Sequence, residues 1–149
     1  MCSSDLVWLF TRMGAGAGRR AAALRARGVE VLEAAPAPDQ GLALDEVLAR
    51  LAARGVTRLL VEGGPRLAAG LLKARLVDRL AWFQAPLIIG GDGRAAVAPL
   101  DVEALAAASR FRRQAGETLA QDTLQSYILW AEGEPCSPGS SPTSAGSQR

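Results

Sequence analysis

The residues Glu62-Gly63-Gly64-Pro65 are the part of this sequence whose types and order hold the most chemistry. Two adjacent glycines let backbone N–H groups approach an anion closely, and a helix starting at Pro65 would add partial positive charge at its N-terminus. Together they describe a seat for phosphate. Glu62 sets a carboxylate beside it, at the end of the apolar run Leu59-Leu60-Val61, where open α/β sheets bind their ligands. The plain alternative is a tight turn after a solvated glutamate, since short glycine motifs recur by chance. Other chemistries are closed off. The chain has no histidine, which removes Ser-His and Cys-His nucleophile pairs and the commonest metal ligand. Cys2 and Cys136 stand near opposite ends in Ser-rich surroundings without the CxxC spacing of zinc or redox sites, so no metal site is expected. Chemistry whose hard step belongs to a bound cofactor remains, or no chemistry at all, and no catalytic side chain is assigned.

The elements that must position this stretch alternate between strand and helix. Val7 to Thr11 is an apolar run of strand length, followed by Arg12 and the glycine-rich Gly14-Ala15-Gly16-Ala17-Gly18. Arg19 to Arg27 is built of helix formers with Gly28 at the capping position, and Val29 to Leu32 returns as a strand. A second helix shows its apolar face at Leu44, Val47, Leu48 and Leu51, with Gly55 after its last turn. The continuous apolar run Val56 to Glu62 suits a strand covered on both faces of a parallel sheet, and Pro65 opens a third helix. Asp78 to Ala85 and Leu87-Ile88-Ile89 are expected as further strands, with Gly90-Gly91-Asp92-Gly93 as a turn. Val102 to Ala108 suits a short helical turn. Phe111 to Trp130 reads as two antiparallel strands, and both Ala115-Gly116-Glu117 and Ala120-Gln121-Asp122 are open as their turn. The fold class is therefore α/β, three-layered, with a mostly parallel sheet and antiparallel C-terminal strands.

With 149 residues, 49% of them apolar and 21% charged, the chain has room for one domain. A net charge of +2, with arginines dispersed and not interleaved with aromatics, gives no sign of nucleic acid. No apolar run approaches membrane-spanning length and no secretory signal opens the chain, so no membrane partner and a cytoplasmic location are expected. Met1-Cys2-Ser3-Ser4-Asp5-Leu6 lacks periodicity and reads like a translated sequencing adapter, so residues 1–6 are expected to be a non-native leader. The domain is expected over residues 7–131. From Glu132 onward Pro, Ser and Gly dominate, and residues 132–149 are expected to be a disordered tail.

Three linked stretches carry a resemblance: Gly55-Val56-Thr57-Arg58-Leu59-Leu60-Val61-Glu62-Gly63-Gly64-Pro65-Arg66-Leu67-Ala68, then Leu76-Val77-Asp78-Arg79-Leu80, then Ala85-Pro86-Leu87-Ile88-Ile89-Gly90-Gly91-Asp92-Gly93. In this order they resemble the reductase domain of the bifunctional riboflavin biosynthesis deaminase-reductase, from about Val7 to Trp130. The resemblance implies a dihydrofolate-reductase-like fold, incomplete here at its N-terminus, and NADPH-dependent reduction of the ribosyl group of 5-amino-6-(5-phosphoribosylamino)uracil to the ribityl form. The substrate is thus a small pyrimidine ribosyl phosphate. Residue by residue, Glu62 matches the family's substrate-contacting glutamate, and Gly64, Pro65, Arg66, Leu67, Ala68, Ala69 and Gly70 match its NADP-contacting segment. Arg66 departs from the threonine common there and replaces it with a bulkier cation. Gly70 in a helix invites either cofactor approach or close helix packing as its reason. Thr11 is a candidate for the adenosine end of the cofactor, with Arg12 as a cation for phosphate. The family's dimers imply a homodimer for the full-length protein, and the missing front part implies little turnover from this chain alone. Two other readings stay open: another NADPH reductase of dihydrofolate-reductase type, and a non-catalytic nucleotide-binding module.

Overall fold

A computed structural model of the chain describes residues 6–38 and 41–130. Most of the expected leader and all of the expected tail, residues 1–5 and 132–149, lie outside them. The chain divides into two compact units, residues 1–77 with 88–108 and residues 78–87 with 109–149.

The first unit begins with a βαβ arrangement. Strands β1 (Trp8–Arg12) and β2 (Glu30–Ala34) pair in parallel, with Trp8 opposite Glu30 and Arg12 opposite Ala34. Helix α1 (Arg19–Arg25) carries the crossover. Ala21, Val31 and Ala34 are buried where it covers the pair. Two more helices follow, α2 (Leu44–Ala53) and α3 (Pro65–Lys73), the latter burying Ala69 and Leu71. The apolar stripe of α2 is only half-buried, from Leu44 through Val47 and Leu48 to Leu51.

All three helices end by the same device. A residue with positive φ lets the chain fold back, so that its own N–H and the next one satisfy carbonyls of the last turn. After α1 the residue is Gly28 (φ 84°), with Val29 N–H donating to Leu24 O; after α2 it is Gly55 (φ 86°), with Val56 N–H donating to Leu51 O. After α3 the position is held by Arg75 (φ 55°), with Leu76 N–H donating to Leu71 O. The glycine at the end of each of the first two helices is therefore legible in the sequence, whereas the third stop has no glycine to mark it.

The structure differs from expectation in two apolar runs. Val56 to Glu62 is not a strand: it joins no ladder among the described residues, and Leu59, Leu60 and Val61 are exposed, Leu60 at 80%. Leu87-Ile88-Ile89 likewise joins no ladder and is exposed, Ile88 almost completely. The physical reason is common to both. An apolar run becomes a buried strand only where a neighbouring strand takes up its N–H and C=O groups, and no such neighbour stands beside either run among the described residues. Among the described residues parallel pairing is consequently confined to β1 and β2, and the expected mostly parallel sheet is reduced there to that pair.

The second unit is an antiparallel sheet of β3 (Arg79–Gln84), β5 (Asp122–Leu129) and β4 (Phe111–Leu119), in that order. Of the two candidate turns, Ala120-Gln121 is used, with Ala120 at φ 57°; Gly116 lies inside β4, opposite Gln125. A two-residue hairpin loop matches the twist of its strands only with positive φ at a central position, which Ala120 supplies against its own preference. The helical turn expected between Val102 and Ala108 is present at Leu105–Ala107.

Candidate functional site

Helix α3 starts without a side-chain cap. Gly64 is the residue before its first turn, in extended conformation (φ −68°, ψ 178°), and Pro65 takes the first helical position, where the missing N–H costs nothing. The Gly64 carbonyl accepts from both Leu67 N–H and Ala68 N–H. The N–H groups of Gly63, Gly64 and Arg66 have no hydrogen-bond partner among the described residues. These three donors, at the positive end of a helix, are what an anion needs.

The reason for each glycine separates cradle from packing. Gly64 adopts a conformation open to any residue, and a Cβ on it would meet nothing within 4 Å. Neither strain nor protein packing demands glycine there, so the space at the helix mouth is free for a ligand. A Cβ on Gly63 would lie 2.5 Å from Leu67 Cδ2, the end of a flexible side chain. Gly70 is different: its Cβ would come within 3.0 Å of Leu44 Cδ1, so α2 packs closely against it. Of the two reasons the sequence leaves open for Gly70, the structure supplies helix packing. Ala69 is buried in the core, Ala68 is half-buried, and Arg66 and Leu67 are exposed near the helix start. Glu62 is exposed, immediately before the glycines, without a hydrogen-bond or ion-pair partner among the described residues. The structure thus brings Glu62, Gly64, Pro65 and Arg66 to one helix mouth and sends Ala69 and Gly70 to the packed side.

A second anion-binding feature escaped the sequence reading. In the glycine-rich loop after β1, Gly14 N–H and Gly16 N–H both donate to Glu33 Oε1, at 3.1 and 2.7 Å. Arg25 fastens the same loop from the other side, its Nη1 donating to Gly16 O at 2.5 Å. The signal was present as glycines after one strand and an acid in the next, but only the parallel register shows that they meet.

Elsewhere in the first unit Glu46, in the first turn of α2, accepts Ala35 N–H at 2.8 Å and the Arg50 guanidinium at 2.6 Å. The backbone hydrogen bond from Ala35, followed by the Arg50 hydrogen bond, holds its carboxyl below the ordinary glutamate range. Among the described residues no cluster of three or more potential metal ligands occurs, and no helix is long and apolar enough to cross a membrane.

Comparison with known proteins places this geometry in a family. The RibD C-terminal domain family matches residues 9–124. The chain is 34% identical over 111 residues to the 2,5-diamino-6-ribosylamino-4(3H)-pyrimidinone 5′-phosphate reductase of Methanothermobacter thermautotrophicus, covering 74% of this chain and 50% of that protein. It is 31% identical over 103 residues to the riboflavin biosynthesis protein RibD of Aquifex aeolicus, covering 69% of this chain and 27% of that protein. Among solved structures, Acinetobacter baumannii RibD superposes with a TM-score of 0.66 at 23% identity, over 83% of this chain and 37% of that one. A pyrimidine reductase-like protein from Corynebacterium diphtheriae gives 0.63 at 23% identity, over 84% and 50%. These two show a shared mixed α/β, dihydrofolate-reductase-like fold. The chain spans half or less of the length of these relatives. On the match over residues 9–124, the chain belongs to the RibD C-terminal domain family.

Proposed function

We propose that this chain is the cofactor-binding part of an NADPH-dependent reductase of riboflavin biosynthesis, acting on 5-amino-6-(5-phosphoribosylamino)uracil to reduce its ribosyl group to the ribityl form. The observation that carries the reading is the mouth of α3, where three backbone donors have no partner among the described residues and a Cβ on Gly64 would meet none of them within 4 Å. Those donors fit a phosphate of the cofactor, and the Arg66 guanidinium adds a cation beside them. Glu62 is the substrate-facing residue: an exposed carboxylate without a partner accepts hydrogen bonds from substrate hydroxyl or amino groups. NADPH, when bound, supplies the hydride, and the task of the protein is to hold the two reactants at reacting distance. The Methanothermobacter thermautotrophicus relative is named for a pyrimidine that carries the same kind of ribosyl phosphate, which supports this substrate class. Cytoplasmic residence and assembly into dimers complete the reading.

The test is a fluorescence titration of the chain with NADPH, followed by absorbance at the nicotinamide band with the pyrimidine substrate added. Saturable binding that depends on Glu62-Gly63-Gly64-Pro65 is the expected result. Absence of binding at millimolar cofactor overturns the reading and leaves a fragment without a nucleotide. A second reading, a nucleotide-binding module without turnover, is favoured by one observation: Leu59 to Val61, which lead into Glu62, are exposed and join no ladder among the described residues. A floating segment holds Glu62 less accurately than a sheet does. Binding without NADPH oxidation is the outcome that selects it.

A further inference from the structure

The antiparallel sheet of β3, β5 and β4 has one face whose charges are sorted along the strands. Cross-strand partners point to the same side of a sheet, so the pairing assigns each residue to a face. Ile128 stands between Arg79 and Arg112, Ser126 between Ala81 and Ala115, Leu124 between Phe83 and Glu117, and Asp122 beside Leu119. This face therefore runs from two arginines at one end, across an apolar and small-residue middle, to two carboxylates at the other. From Ile128 to Asp122 it measures about 20 Å of strand.

The face lies open. Phe83 is 65% exposed and Leu119 44%. Arg79, Ala81, Ala115, Glu117 and Asp122 are exposed too, and neither Arg79 nor Glu117 has a hydrogen-bond or ion-pair partner among the described residues. The opposite face is built differently. Its Leu80, Phe111, Tyr127 and Leu129 are half-buried, and of charged residues it holds Arg113 without an acid to match it. A face that is basic at one end and acidic at the other carries its own complement. An isologous contact sets each patch against the patch at the far side of the two-fold axis, so opposite ends meet.

We propose that this face is the interface of a homodimer, in which the sheets of two copies stack with their strands antiparallel, about 10 Å apart. With the axis crossing the strands between the levels of Leu124 and Ser126, the arginine end of each copy lies over the carboxylate end of the other. Phe83 and Leu124 of one copy then lie over Ala81 and Ser126 of the other, large side chains against small. The proposal rests on the dimer assembly of the reading above and adds the face through which it forms.

Sedimentation equilibrium of the full chain tests it with two variants, Arg79→Glu with Arg112→Glu, and Glu117→Lys with Asp122→Lys. The wild type is expected to be dimeric. Each variant sets like charges against like at both ends and is expected to raise the dimer dissociation constant at least about tenfold. Mixed in equal amounts, the two variants again oppose unlike charges, and the dimer is expected to return. A monomeric wild type overturns both the proposal and the dimers of the reading above. Wild-type affinity kept by either variant, or a mixture no tighter than its components, overturns the proposed face alone; association through the exposed run around Leu60 would give that result. A second measurement needs no variant. Raising the salt from about 0.05 to about 0.5 M shortens the reach of charge and is expected to weaken the wild-type dimer several-fold. A dimer equally tight or tighter, as a purely apolar contact gives, overturns the proposal. The NADPH titration judges the cofactor reading independently of all these outcomes.

Discussion

At the scale of single residues, the glycines of the α3 segment divide by what a side chain would meet. Gly64→Val places its methyl groups in the open mouth of the helix, in a conformation that valine accepts, so stability is expected to change by less than about 0.5 kcal/mol. Under the proposed function NADPH affinity falls at least about tenfold, because the methyls stand where phosphate would approach. A thermal melt paired with a cofactor titration checks both halves. Gly70→Ala is the control. Its Cβ meets only the movable end of Leu44, and alanine gains up to about 1 kcal/mol in helix propensity. Unchanged affinity with equal or raised stability is expected, and weakened NADPH binding would return Gly70 to the cofactor site. Glu46 makes a third prediction. Its carboxyl is lowered by Ala35 N–H and by Arg50, so its contribution to stability is fully present above about pH 4.3, the unfolded value, and is lost as pH falls through the lower folded value. In Glu46→Gln the stability curve is expected to be flatter below pH 4.3, read by denaturant unfolding at stepped pH. A curve parallel to wild type would show that the interaction contributes nothing.

At the scale of elements, the hairpin of β4 and β5 carries a correctable strain. Ala120 holds φ 57° in a two-residue turn, a conformation that costs an L side chain about 1 kcal/mol or more. Ala120→Gly is therefore expected to stabilise the chain by about 0.5–1 kcal/mol, after the larger entropy of glycine in the unfolded state is subtracted. An equal or lower melting temperature would show that the turn relaxes without glycine. The helices, by contrast, were legible from the start. The apolar spacing of Leu44, Val47, Leu48 and Leu51 and the stops at Gly28 and Gly55 reappear as drawn, because helix hydrogen bonds are local and depend on residues within one turn. The stop after α3 falls at Arg75, where no glycine announced it, and the hairpin used Ala120 although Gly116 was the better turn former by type. In the hairpin the cross-strand register decided, since moving the turn to Gly116 would unpair Thr118 from Thr123 and Leu119 from Asp122.

At the scale of the whole molecule, the largest disagreement between expectation and structure has one cause. Val56 to Glu62 and Leu87 to Ile89 have the composition of buried strands and join no ladder among the described residues, with Leu60 and Ile88 exposed at 80% and 99%. Such surfaces associate. Sedimentation of the chain is expected to show concentration-dependent self-association that Leu60→Lys or Ile88→Lys reduces; a monodisperse wild type would mean that these runs are covered in solution by other residues of the chain.

The candidate site shows how far a sequence reaches by itself. Glu62, Gly64 and Pro65 could be put forward as candidates because a strand-like run, two glycines and a proline at a helix start form one contiguous word, and contiguous residues constrain one another through the backbone. The linked stretches around them pointed to the family that residues 9–124 match. Tertiary structure alone decided what depends on residues far apart. It brought Gly70 close to Leu44, and closed Glu33 on Gly14 and Gly16 across 19 and 17 residues. It also left two strand-like runs without ladder partners among the described residues. Local hydrogen bonds and chain geometry write the first set into the order of residues. The second set exists only once distant segments have met, because a contact, a ladder and a shared carboxylate each require a neighbour that the linear sequence does not name.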